Sequence, residues 1–87
     1  MDFDKEVQEY RTHFFNRYQE WHQTTKYSKS DIIKYHFEIY LNGLQEDYKE
    51  EENIFNKELQ HKMICGLHLA IEDMYADFQP VQTAMIL

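Results

Sequence analysis

The sequence predicts an all-α fold, a small bundle of three helices that becomes four if the second helix breaks at Gly43. Two glycines and one proline in 87 residues leave little material for a turn-rich β fold. Apolar residues instead recur at helical spacing along most of the chain. No repeat, low-complexity segment or Gly/Ser linker divides the sequence, so residues 1–87 are predicted to form a single domain.

A narrow apolar stripe predicts the first helix over residues 3–24. Its apolar residues follow one another in steps of three or four, which places them on one side of a helix. They are Phe3, Val7, Tyr10, Phe14, Tyr18 and Trp21. Asp2 or Asp4 is the expected N-cap, because a carboxylate can accept hydrogen bonds from the free N–H groups of the first turn.

The second helix is predicted over residues 29–49, after a capping box formed by Ser28 and Asp31. Its main apolar stripe consists of Ile33, Phe37, Tyr40, Leu41, Leu44 and Tyr48. A second apolar side consists of Ile32, Tyr35 and Ile39. A helix that is apolar on two sides either lies at the centre of the bundle or uses its second side to contact another molecule.

The pair Asn42-Gly43 permits a different structure, because Asn-Gly between apolar residues is a strong hairpin signal. The flanking residues alternate poorly between apolar and polar, and the acidic stretch that follows is weak strand material. The helix is therefore the preferred interpretation. A kink or break at Gly43 is the milder alternative, since glycine costs a helix about 1 kcal/mol relative to alanine.

The third helix is predicted over residues 54–78, with Asn53 as its N-cap and Pro80 enforcing its end. Gly66 and Ala70 lie one turn apart on its apolar side, so a neighbouring helix could approach closely there. The full stripe is Phe55, Leu59, Met63, Gly66, Leu67, Ala70, Met74 and Phe78. The apolar tail 81–87 has no helical period and is expected to pack onto the bundle or to join an interface.

The bulk composition narrows the classes of function. A net charge of −7 repels phosphates, so direct nucleic acid binding is disfavoured and a basic protein partner is favoured. A single cysteine excludes an internal disulfide and suits a reducing compartment. The amino terminus lacks the apolar segment of a signal peptide, and the longest apolar run is four residues. We therefore expect a cytoplasmic protein with no membrane contact.

An acidic cluster near the end of the second helix is the first candidate site. Glu46, Asp47, Glu50, Glu51 and Glu52 are opposed only by Lys49. Acids at the carboxyl end of a helix oppose its dipole, so helix stability does not explain them. The cluster is either a solvated helix end or a surface for a basic partner.

Aromatic residues add to this interpretation. Seven tyrosines, six phenylalanines and one tryptophan exceed what the core of so small a domain needs. Tyrosine is a common anchor in protein interfaces. Tyr35, which falls off the main stripe, and Tyr48, which lies within the acidic cluster, are candidate partner-binding residues.

A polar stripe on the third helix is the second candidate site. His61, Cys65, His68 and Glu72 share the side opposite its apolar stripe. Their possible roles are a metal site, an activated thiol, a protein contact or simply a mixed polar face exposed to solvent. The two histidines are seven residues apart, about 10 Å along the axis, and there is no second cysteine. One helix face also supplies no oxyanion hole. These four residues are therefore predicted to contact a partner, and no metal, cofactor or catalytic residue is predicted.

The sequence thus predicts a small acidic protein-binding module rather than an enzyme. Its expected role is that of an inhibitor or adaptor that occupies a basic surface of a partner, including a nucleic-acid-binding surface that it would mimic. The first alternative is a homodimer formed through the second helix or the tail 81–87. The second is a metal-binding helix bundle. The composition, rich in Lys, Asn and Tyr, is typical of AT-rich bacteria and their phages.

Overall fold

The computed structural model describes residues 3–77, and these form three helices. We name them α1 (Phe3–Thr24), α2 (29–50) and α3 (Ile54–Ala76). Of the described residues, 89% are helical and none lies in a strand. The predicted all-α fold is confirmed, and each helix begins at the predicted residue.

Side-chain caps explain why α2 and α3 begin where they do. Ser28 Oγ accepts a hydrogen bond from the Asp31 amide at 3.1 Å. Asn53 Oδ1 accepts one from the Phe55 amide at 2.9 Å and a second from the next amide along the chain at 3.1 Å. Both caps satisfy N–H groups that have no partner within the helix, as their residue types predicted.

The N-cap of α1 and the last residue of α3 differ from the predictions. Asp4 lies inside the first turn of α1 and is not its N-cap, while Asp2 lies outside the described residues. α3 ends at Ala76, two residues before the predicted end, because Asp77 adopts a left-handed conformation with φ of 56°. The Asp77 carboxylate also accepts a hydrogen bond from Lys29 Nζ at 2.5 Å. The predicted apolar tail lies outside the described residues.

α1 and α3 pack side by side and run in the same direction. The Phe3 ring lies 5.2 Å from the His61 ring, and the Arg11 guanidinium contacts Asp73 further along both helices. Between these contacts the two backbones approach closely at Gly66, which has no Cβ to keep them apart. The predicted close approach at this glycine is confirmed.

α2 is continuous through Gly43 but changes its winding earlier. Its segments are Lys29–Ile32 in α-helical, Ile33–Glu38 in π-helical and Ile39–Glu50 in α-helical conformation. Asn42 and Gly43 lie inside the last segment, so the hairpin and the break at Gly43 are both wrong. The helix persists because apolar residues on either side of the pair pack against the core at helical spacing.

The core lies where the three helices meet and comes largely from the predicted stripes. Phe15 and Ile71 join it from positions outside those stripes, because each helix packs against two neighbours. The buried apolar residues are Val7, Phe14, Phe15, Tyr18, Ile32, Ile33, Phe37, Leu67, Ala70, Ile71 and Met74.

Three residues assigned to the core stripes are instead exposed. Phe55 is 79% exposed, Leu59 46% and Tyr40 44%. Phe3, the first described residue of α1, contacts His61, and Phe55 and Leu59 lie before His61, in the first two turns of α3. The prediction of a stripe buried along the whole of α3 is therefore wrong for those turns.

The length and polarity of the described helices bear on whether one of them could span a membrane. Among residues 3–77, every helix is too short or too polar to cross a bilayer.

Candidate functional site

The predicted acidic cluster lies where α2 ends and α3 begins, and we call residues 46–59 the acidic end. This segment contains six carboxylates and two lysines. Both lysines are already engaged within it. Lys49 Nζ lies 3.4 Å from a Glu46 oxygen, and Lys57 Nζ donates to the Tyr48 carbonyl oxygen at 3.1 Å while lying over the Tyr48 ring.

The carboxylates of the acidic end fall into two groups. Glu51 helps to form the turn between the helices, because its oxygens accept hydrogen bonds from the Asn53 amide and the Gln60 side chain. Asp47, Glu50 and Glu52 are exposed, and none has a hydrogen bond or ion pair to any residue in 3–77. These three therefore present negative charge that no neighbouring cation neutralises.

Exposed apolar side chains adjoin these carboxylates. Ile54 is 74% exposed and Phe55 79%, and Leu59 follows one turn later on the same side as Phe55. Sequence reasoning missed this group because it assigned Phe55 and Leu59 to the core. The signal that could have found it is the direct succession of three glutamates, a helix cap and two large apolar residues.

Tyr48 and His61 also belong to this end of the molecule. The His61 ring lies 5.9 Å from the Tyr48 ring and 5.2 Å from the Phe3 ring. His61 itself is exposed, as predicted for the polar stripe of α3, while it contacts one ring from each neighbouring helix. It lies at the inner edge of the acidic end.

The rest of that stripe continues along α3, away from the acidic end. Cys65 is half-buried, whereas His68 and Glu72 are exposed. Within residues 3–77, no three side chains of His, Cys, Asp or Glu come together in a way that could hold a metal ion. Cys65, His68 and Glu72 follow His61 along α3 by about one, two and three turns.

A second surface, which we call the aromatic groove, runs between α1 and α2 with α3 as its floor. It consists of two hollows of about 450 and 500 Å³ that share Tyr35 and His36. Its lining residues are Tyr10, His13, Phe14, Arg17, Trp21, Tyr27, Asp31, Ile32, Tyr35, His36, Phe37, Ile39, Tyr40 and Met63.

Ring-to-ring contacts cross the groove from α1 to α2. Trp21 stacks on His36 with ring centroids 4.2 Å apart, and Phe14 meets Tyr40 edge-on at 6.0 Å. Such large side chains separate the two helix backbones by more than small aliphatic residues would. Tyr35, a predicted partner-binding residue, stands on the rim and is 63% exposed.

The groove explains why α2 has a second apolar side. Its second apolar side is buried at Ile32 but exposed at Tyr35 and Ile39. No other described helix covers those two residues. This side of α2 is therefore available for contact with another molecule.

The groove also holds a histidine whose protonation should affect folding. Burial, with a smaller contribution from the Arg17 charge, lowers the pKa of His36 below its usual value of 6.5. The unfolded chain then binds this proton more readily than the folded one. The contribution of His36 is fully present above pH 6.5, and the free energy of unfolding should decrease as the pH falls from 6.5 through the lowered pKa.

Urea denaturation at pH 7.5, 6.5, 5.5 and 5.0 measures this effect. The variant His36→Phe keeps a ring against Trp21 but cannot titrate, so its stability should depend less steeply on pH over this window. The remaining histidines are common to both proteins and cancel in the comparison. Equal pH dependence in the two proteins would contradict the assignment to His36.

Comparisons with protein-family models, with curated protein sequences and with solved structures found no match for this chain. The acidic end and the aromatic groove are therefore the features that bear on its function. The acidic end contains six of the predicted partner-binding residues, His61 lies at its edge, and the aromatic groove contains Tyr35. The six are Glu46, Asp47, Tyr48, Glu50, Glu51 and Glu52.

Proposed function

We propose that this protein binds a basic protein partner through the acidic end and thereby acts as an inhibitor or adaptor. The observation that carries the proposal is the joining of unpaired carboxylates to exposed apolar side chains. Asp47, Glu50 and Glu52 have no cation beside them in the described structure, and Ile54 and Phe55 are each about three-quarters exposed.

The two kinds of side chain would contribute differently to binding. Burial of Ile54, Phe55 and Leu59 favours binding because it removes apolar surface from water, although part of this gain is offset by the entropy lost on association. The carboxylates attract a basic partner over long range and disfavour acidic ones. The contact surface of a suitable partner has an apolar centre and a basic rim. A protein with a basic nucleic-acid-binding surface would supply the basic rim.

The same charges disfavour a symmetric homodimer through this end. In a two-fold contact each surface meets its own copy, so carboxylates would face carboxylates. Like charges placed together at an interface are destabilising. A different molecule with basic side chains is the better occupant.

Binding to a model basic peptide tests the proposal. The probe is a 16-residue helical peptide with a leucine stripe flanked by lysines, titrated calorimetrically at 50 and 300 mM NaCl. Replacing Glu50 and Glu52 by lysine should weaken binding about tenfold at low salt and much less at high salt, because salt screens exposed charges. Phe55→Ser should weaken binding at both salt concentrations, since the lost contact is apolar.

A matched double variant separates local from global charge effects. Glu9 and Glu20 are exposed acids of α1, and replacing both by lysine changes the net charge by the same amount. Binding should then weaken no more than about twofold. Equal losses in the two double variants, or a wild-type affinity unaffected by salt, would contradict binding through the acidic end.

A further inference from the structure

We infer that the aromatic groove is a second binding site, which accepts an amphipathic helix carrying carboxylates from another protein. This inference does not depend on the acidic end. It rests on the shape of the groove, on its exposed rings and on the sign of its charges.

The shape fits one helix. α1 and α2 form the walls, and the ring pairs Trp21–His36 and Phe14–Tyr40 reach from one wall to the other, so a bound helix would lie on these rings. Along α1 its lining extends from Tyr10 to Trp21, about 16 Å at 1.5 Å per residue. That length corresponds to three turns of a bound helix.

The rim supplies apolar contacts that nothing in the described structure covers. Tyr27 is 65% exposed, Tyr35 63% and Ile39 58%, and Tyr40 stands beside them. Half of the large apolar residues that are exposed in residues 3–77 therefore line this one groove. An amphipathic helix with apolar residues three and four apart would bury them.

The charges at the groove indicate that the polar side chains of the partner helix are acidic. In a chain with sixteen acids and nine bases, the hollow that extends from Tyr10 to Tyr40 is lined by Arg17 and by no carboxylate of residues 3–77, and Asp31 lines only the other hollow. Lys34 adds a second cation, since its Nζ lies over the Tyr35 ring, 5.5 Å from the ring centroid. No carboxylate in residues 3–77 lies within 4.0 Å of the Arg17 guanidinium. An aspartate or glutamate on the bound helix would supply the missing partner.

Trp21 makes occupancy of the groove measurable. It is the only tryptophan of the chain and stacks on His36 inside the groove, so its fluorescence reports on that site alone. The probes are three 16-residue helical peptides with the same leucine stripe, flanked by glutamate, glutamine or lysine. We expect the glutamate peptide to change the Trp21 emission saturably, with at least about tenfold higher affinity than the lysine peptide.

Charge reversal at Arg17 tests the contact directly. Arg17→Glu should weaken binding of the glutamate peptide about tenfold and improve binding of the lysine peptide at the groove. Lys49→Glu, an equal change of charge at the acidic end, should leave the Trp21 response within about twofold of wild type. Because Lys49 belongs to the acidic end, the control outside both sites is Lys5→Glu, an equal change of charge on α1 that should also leave the Trp21 response within about twofold of wild type. Arg17 and Lys5 are both exposed, so neither variant should disturb the fold, and circular dichroism checks this.

Several outcomes would overturn the proposal. An unchanged Trp21 emission with all three peptides would remove the site, and equal affinity for all three would remove the role of Arg17. A Trp21 signal that depends on protein concentration without peptide would assign the groove to a second copy. A change of emission in a chain shortened to end at Asp77 would assign it to residues 78–87. Binding of the lysine peptide measured calorimetrically, without a change in Trp21, tests the acidic end separately.

Discussion

Replacing Gly66 by alanine should lower the free energy of unfolding by about 2 kcal/mol, although alanine is the better helix former. A Cβ at this position would lie 2.5 Å from Tyr10 Cβ and 2.9 Å from the Val7 carbonyl oxygen. It would also lie 3.0 Å from the Arg11 amide nitrogen. Two of these three atoms belong to the backbone of α1, so no rotation of a side chain can relieve the contact. The two helices would have to move apart.

Gly43 provides the matched control for this substitution. It also lies inside a helix, but a Cβ there would meet no atom within 4 Å. Gly43→Ala should therefore stabilise the protein by about 0.5–1 kcal/mol through helix propensity alone. Urea denaturation measures both values. If Gly66→Ala proved as stable as Gly43→Ala, the close packing of α1 on α3 would be wrong.

Breaking the ion pair between Arg11 and Asp73 should cost a similar or larger amount. Arg11 donates to both carboxylate oxygens of Asp73, from Nε at 2.6 Å and from Nη2 at 2.7 Å. The Asp73 side chain is only 7% exposed, so Arg11→Met would leave a buried carboxylate without its partner. We expect a loss of about 3 kcal/mol in the free energy of unfolding at pH 7, measured by urea denaturation.

A second substitution distinguishes loss of packing from loss of charge pairing. Converting Asp73 to leucine in the Arg11→Met protein removes the unpaired carboxylate and fills the space with apolar atoms. Stability should then return to within about 1 kcal/mol of wild type, because a buried ion pair adds little beyond an apolar pair of similar volume. A double variant at least as unstable as the single one would contradict this account.

These two contacts also matter for the proposed binding sites. Gly66 and Arg11 hold α1 against α3, and α1 forms one wall of the aromatic groove while α3 forms its floor. Variants that loosen this pair of helices should therefore weaken binding of the glutamate peptide through loss of the groove. The acidic end is formed by α2, α3 and the turn between them, and should be less affected.

The features that the sequence determined by itself are local ones. Ser28 and Asn53 are caps because their short polar side chains reach amides two or three residues away, whatever the rest of the chain does. Helical spacing of apolar residues likewise predicts which side of a helix turns inward. The acidic cluster is visible because its members follow one another directly, and Glu46, Asp47, Glu50 and Glu52 are indeed exposed.

Tertiary structure alone decided where the buried stripes stop. Phe55 and Leu59 have the spacing of core residues, but the described helices leave them exposed, and the stripe itself does not show where a neighbouring helix lies. His61 is exposed, as its position in the stripe predicts, but only the fold shows that the Phe3 and Tyr48 rings contact it. Periodicity specifies the direction in which a side chain points, whereas burial depends on what another part of the chain places there.

The aromatic groove shows the same division. The sequence indicated that α2 has two apolar sides, of which one could be left for a partner. Only the packing of the three helices showed that the second side is buried at Ile32 and open at Tyr35 and Ile39, and that Arg17 of α1 faces the same groove. Such a surface joins residues distant in sequence, so its shape and charge follow from how the helices are arranged and not from any one of them.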